Sequence, residues 1–169
     1  VNKGILSVIS CIIFGMLSSI IHADETADLV VEGQPMVTRI KAPSHMENID
    51  EIRSGWTFRI KETQALQMDD FENPGMIFVD KGLDLWNKVE GSKNKSCASC
   101  HSDGSEFKGL RTVMPKWNAS AKALWSLEDH VNNCRTEQMG AEPLKWGKAP
   151  MDSIVAVIAL QSRGMSMNV

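Results

Sequence analysis

Ser96-Cys97-Ala98-Ser99-Cys100-His101 is the stretch on which the reading of this chain turns. Two cysteines three apart, followed at once by histidine, form the pattern that covalent haem attachment requires. The thiols add to the two vinyl groups, and the adjacent imidazole is then held beneath the iron as its proximal ligand. The motif therefore predicts a c-type haem bonded by Cys97 and Cys100, with His101 on the metal.

Rival readings of the cysteine pair fare worse. A structural zinc site needs a second ligand pair at matching spacing, and downstream only His130 and Cys134 offer themselves, in the wrong order. A thioredoxin-like redox pair wants a βαβ context, whereas the surroundings here read as loop and short helix. With 169 residues there is room for one domain of about 100 to 150 residues. A formal net charge of -3 and the lack of a long single-sign run argue against a nucleic-acid binder. No Gly-rich phosphate loop, zinc-protease helix or nucleophile elbow is present.

The N-terminus carries Lys3 and an apolar run from Ile5 to Ile21, then Ile21-His22-Ala23 before acidic Asp24-Glu25. This is the layout of a secretory signal peptide over residues 1–23, cut after Ala23, and it predicts a periplasmic protein. The alternative is a retained anchor, because the run approaches the ~18 residues that begin to span a bilayer. Cys11, inside the run, reads as a small apolar filler.

Residues 24–72 read as a less regular extension. Leu29-Val30-Val31, Val37-Thr38-Arg39-Ile40 and Trp56-Thr57-Phe58-Arg59-Ile60 suggest a strand or two, with a helical turn near Thr63 to Met68. From Asn73-Pro74-Gly75 the pattern changes to Phe78, Val79, Gly82, Leu85, Trp86 and Val89 at helical spacing, ending near Glu90-Gly91. A second helix is expected from Met151 to about Ser162, and Gly82 is expected to let the two backbones approach closely. Ser126 with Asp129 reads as a capping box opening a third helix, on which Leu127, Val131 and Cys134 share a face. The fold expected is mainly α, a cytochrome c-like module over residues 73–169. Its core would comprise Phe78, Val79, Leu85, Trp86, Leu127, Val131, Ile154, Val155 and Ile158.

The iron needs a distal ligand or an open position. Spacing alone leaves Cys134, His130, Met114, Met139 and Met151 in play. A methionine would raise the potential, while a thiolate donates charge to the iron and lowers it. Lys93, Lys95, Lys108, Arg111 and Lys116 flank the motif and read either as a steering patch for an acidic partner or as a solvated rim.

Taken together, the ordered motifs resemble the SoxA family. They are Ser54-Gly55-Trp56, Asp69-Asp70, Asn73-Pro74-Gly75-Met76, Val79-Asp80-Lys81-Gly82 with Leu85-Trp86, the haem motif, Leu127-Glu128 with Asn132 and Cys134-Arg135, and Gln161-Ser162-Arg163-Gly164. SoxA is the cytochrome c subunit of the thiosulfate-oxidising Sox system. The resemblance implies one covalent haem c here, with Cys97 and Cys100 on the porphyrin, His101 proximal and Cys134 as distal thiolate. It further implies membership of an L-cysteine S-thiosulfotransferase, with SoxX as partner cytochrome and the SoxYZ carrier as acceptor of thiosulfate. Its catalytic cysteine belongs to a second haem module, expected after the Ser-Arg-Gly segment, so no catalytic residue is named in this chain and the sequence is expected to be the first part of a longer protein. The alternative is a free-standing monohaem electron-transfer cytochrome c.

Overall fold

The structure, a computed structural model, describes residues 29–167. The predicted signal peptide lies outside the described residues. Among those described, no helix is long and apolar enough to cross a membrane.

The chain enters through two antiparallel hairpins, β1 (Leu29–Val31) with β2 (Gln34–Met36) and β3 (Arg39–Lys41) with β4 (Glu51–Arg53). The two-residue turn between β1 and β2 sets Glu32 and Gly33 at φ 53° and 73°, the left-handed pair that matches strand twist in tight hairpins. Trp56 to Phe58, expected to be extended, instead lies in a 3-10 turn over Gly55–Phe58. Ser54 explains the difference: its Oγ accepts from Trp56 N (3.3 Å), and its carbonyl accepts from both Thr57 N (3.0 Å) and Thr57 Oγ1 (2.8 Å). These local bonds offer the backbone an alternative to strand pairing. Helix α1 (Lys61–Met68) follows, where the helical turn was expected.

Asp69 and Asn73 then shape the entry to the module. Asp69 Oδ1 accepts from Phe71 N (2.9 Å), and Asn73 Oδ1 from Gly75 N (2.9 Å). Helix α2 (Met76–Asn87) buries Val79, Gly82 and Trp86 on one stripe. It ends before Val89, which is 59% exposed. The short helix α3 (Ala98–His101) carries the haem motif, and 3-10 turns over Ser105–Phe107 and Leu110–Val113 lead to a third hairpin, β5 (Lys116–Asn118) with β6 (Ala123–Trp125). Helix α4 (Leu127–Cys134) passes directly into a π-helical turn over Arg135–Met139. Helix α5 (Ala149–Leu160) starts with Pro150 in its first turn, where the missing N–H costs nothing.

Helices α2 and α5 cross closely, and Gly82 is the reason. A Cβ there would collide with the Ser153 carbonyl and come within 2.6 Å of Val157 Cγ2. The core is built of Val79, Trp86, Leu127, Val131, Ile154 and Ile158, all expected, and also of Met114, Met139, Met151 and Val157, which were not. Leu85 and Val155 pack against it half-buried. Phe78 does not join it: its ring stays at the edge, with Lys81 Nζ 6.0 Å from its centroid.

Candidate functional site

Between α2, α3, α4 and α5 lies a cavity of ≈ 340 Å³, within the roughly 300–1,000 Å³ typical of cofactor clefts. Its wall is mostly apolar, with Trp86, Leu127, Val131, Ile154 and Ile158 facing inward. Among the donors named from sequence, Cys97, His101 and Cys134 open onto it. Cys100 sits exposed beside them rather than in the wall.

Local chemistry explains each placement. Ser96 and Ser99 lock the start of α3 by mutual bonds, Ser96 N to Ser99 Oγ at 2.9 Å and Ser99 N to Ser96 Oγ at 3.1 Å. His101 N donates to the Cys97 carbonyl (2.9 Å), so one helical turn sets cysteine and histidine relative to each other. On α4, Ser126 N donates to Asp129 Oδ2 (2.9 Å), the reach-back of a capping box. One turn repeats down that helix bring Leu127, Val131 and Cys134 into the same cavity wall.

Of the other distal-ligand candidates, Met114 and His130 line the cavity, the latter with its ring edge-on to Trp125 at 5.0 Å. Met139 and Met151 do not: they are 2% and 0% exposed, packed in the core away from the wall. Sequence periodicity missed this because methionine suits a core as readily as a metal.

Burial pushes the Cys97 thiol up, helped by the nearby charge of Cys134, and burial likewise pushes up Cys134, helped by Cys100. Arg135 and Lys95 pull the Cys134 thiol the other way. Among the described residues, no group of three or more His, Cys, Asp or Glu is placed to hold a bare metal ion. An imidazole and thiols around a mostly apolar cavity suit a porphyrin whose own nitrogens complete the metal's coordination.

Two charged residues at the site were not anticipated. Arg135, 7% exposed, also lines the cavity; its Nη1 pairs with Glu90 Oε2 at 2.9 Å and its Nε donates to the Glu142 carbonyl at 3.0 Å. Glu106 Oε1 lies 2.9 Å from His101 Nδ1. The available signals were an arginine directly after Cys134 and a carboxylate five residues after the motif histidine. The segment before the motif is also tied to the segment after Cys134: Ser92 N donates to the Gly140 carbonyl (3.1 Å) and Lys93 N to that of Met139 (3.0 Å). Lys93 Nζ reaches the Glu137 carbonyl at 2.5 Å, so this lysine of the flanking set braces the site.

The family profile described as SoxA/TsdA, cytochrome c domain, matches residues 81–167. A curated relative from Rhodovulum sulfidophilum, named L-cysteine S-thiosulfotransferase subunit SoxA, is 47% identical over 146 residues, covering 83% of this chain and 50% of that protein. The subunit of the same name from Paracoccus pantotrophus is 44% identical over 161 residues, covering 90% and 55%. The crystal structure of SoxXA from P. pantotrophus superposes with a TM-score of 0.75 at 42% identity, covering 84% of this chain and 56% of that one. The chain thus spans about half the length of the curated relatives it matches.

Proposed function

The chain belongs to the SoxA/TsdA cytochrome c domain family, and from that premise we propose that it is the haem-bearing first part of a SoxA-type subunit of a periplasmic L-cysteine S-thiosulfotransferase. In this reading a signal peptide over 1–23 and an extension over 24–72 precede a mainly α cytochrome c module over 73–169. The full-length protein carries a second haem c, pairs with SoxX, and conjugates thiosulfate to a cysteine of SoxYZ. None of the described residues is assigned to the transfer step.

The observation that carries the proposal is the convergence of Cys97, His101 and Cys134 on one apolar cavity. Cys97 and Cys100 would bond the porphyrin, and His101 and Cys134 would hold its iron. Haem c supplies a one-electron Fe(III)/Fe(II) couple when bound. Cys134 would hold the iron as a thiolate, without its proton, as thiols do at a metal cation, and Arg135 and Lys95 favour the charged sulfur. Trp86, Leu127 and Ile158 exclude water from the same wall. Trp86 is itself fixed by donating Nε1–H to the Ser102 carbonyl at 2.8 Å.

The alternative, a free-standing electron carrier, keeps one observation: Met114, 5% exposed, also lines the cavity. Ferric electron paramagnetic resonance of haem-loaded wild type and Cys134→Ala separates the two. We expect the variant to keep covalent haem and to lose a thiolate-type low-spin signal. An unchanged ferric spectrum would reject Cys134 and leave Met114 or His130, which also line the cavity. Cys97→Ala and Cys100→Ala should weaken covalent retention, read by haem staining after denaturing electrophoresis.

A further inference from the structure

The Nδ1 of His101 meets a carboxylate rather than a backbone carbonyl, Glu106 Oε1 at 2.9 Å, in a pair that is partly exposed. The turn that brings them together is built for the purpose by several bonds. Gly104 N donates to the His101 carbonyl (2.7 Å), Ser105 N to Asp103 Oδ1 (3.0 Å) and Phe107 N to the Gly104 carbonyl (3.0 Å). Gly104 takes φ 79°, and a Cβ there would come within 3.2 Å of the Trp86 ring. The imidazole packs in a three-ring cluster, with Phe107 at 4.8 Å and Trp86 at 6.1 Å between centroids and those two rings edge-on to each other at 5.9 Å.

We infer that Glu106 is a positioning residue for the proximal ligand: its carboxylate accepts the Nδ1 hydrogen of His101, leaves Nε2 as the only ring nitrogen free for the iron, and drives electron density through the ring toward the metal. This rests on the haem reading above. With Nδ1–H donating, the tautomer is set. An anionic acceptor makes the ring a stronger donor than a neutral one does, and a stronger donor stabilises Fe(III) over Fe(II). Glu106 would thereby shift the potential in the same direction as a thiolate from Cys134 would.

The test uses the full-length, haem-loaded protein made with a cytochrome c maturation system. Glu106→Gln, Glu106→Asp and wild type are compared by covalent haem content and by redox titration followed through electron paramagnetic resonance. The signal tracked is the one that Cys134→Ala alters, so that it reports this haem. Glutamine keeps an oxygen to accept the bond but removes the charge. It should retain haem at the wild-type level, shift the midpoint potential positive and move the ferric signal, while aspartate restores part of the shift. A Glu106→Gln protein with full haem, wild-type potential and wild-type signal would overturn the inference. So would loss of covalent haem in Glu106→Gln, because that would mark a packing role. A wild-type protein without covalent haem would overturn both this inference and the reading beneath it.

Discussion

Residues 29–72 and residues 73–167 are held together by different physics. Every buried apolar side chain of the described structure lies in the module, from Val79 to Ile158. The extension buries only Thr57 and Gln64, and leaves Val37, Phe58 and Phe71 in the open. It is organised by hairpin turns, by hydrogen bonds around Ser54, and by ion pairs to the far end of the chain, Arg163 Nη1 to Asp70 Oδ2 at 2.6 Å and Arg163 Nε to Glu32 Oε1 at 3.5 Å. A region without a core of its own is tuned by individual polar contacts, whereas a packed region answers to volume.

Substitutions in each region test that contrast. The largest effect is expected at Gly82, where an added methyl meets backbone rather than a yielding side chain. Gly82→Ala should destabilise the haem-loaded protein by about 2–3 kcal/mol in urea denaturation, even after the ~1 kcal/mol that alanine gains in helix propensity. A neutral result would mean that the crossing is loose. Next comes Glu90→Gln, which removes the charge opposite Arg135 Nη1 while the Glu142 carbonyl still accepts from Nε; a cost of about 1–2 kcal/mol at neutral pH lies between exposed and buried ion pairs. The hydrogen bond from Lys88 and then the ion pair with Arg135, against an opposing burial effect, hold the Glu90 carboxyl below its usual 4.5. Its contribution is therefore complete above that value and is lost as the pH falls through the lower, folded-state one. The gap between wild type and Glu90→Gln should close in acid, and a gap that widens there would refute the assignment.

In the extension, Thr57→Val removes one hydrogen bond to the Ser54 carbonyl at a fully buried site. About 1 kcal/mol is expected, or else early loss of the extension to proteolysis while the haem signal persists. Smallest is Asp70→Asn, at well under ~1 kcal/mol and fading with added salt, because the pair with Arg163 is half exposed. An Asp70→Asn protein as damaged as Gly82→Ala would erase the distinction between the two regions.

The same contrast explains what could be read from sequence. Helices α2, α4 and α5 were legible because burial against a core imposes a period of 3.6 on apolar residues, and the run from Cys97 to His101 stands out because haem attachment would fix both residue type and spacing. The apolar pattern over Trp56 to Phe58 suggests extended chain, yet Ser54 and Thr57 decide its path through side-chain bonds that such a pattern does not record. Met139 and Met151 stayed among the ligand candidates until packing removed them from the cavity. Glu106 and Arg135 went unnoticed as site residues because one exposed carboxylate or one arginine has no period, and only the turn after α3 and the π-helical turn after α4 bring them to the site.

The crossing at Gly82 has a further consequence when viewed as chain entropy. Cys97, Cys100, His101 and Cys134 all lie between Gly82 and Ser153, so the contact of α2 with α5 closes one long loop that contains the whole site. Closing a long loop costs more conformational freedom than closing a short one. A group bonded to the chain at Cys97 and Cys100 and gripped again at Cys134 would divide that loop into shorter segments, much as a cross-link does. The clasp between the helices and the cofactor would then each lower the entropic cost of the other.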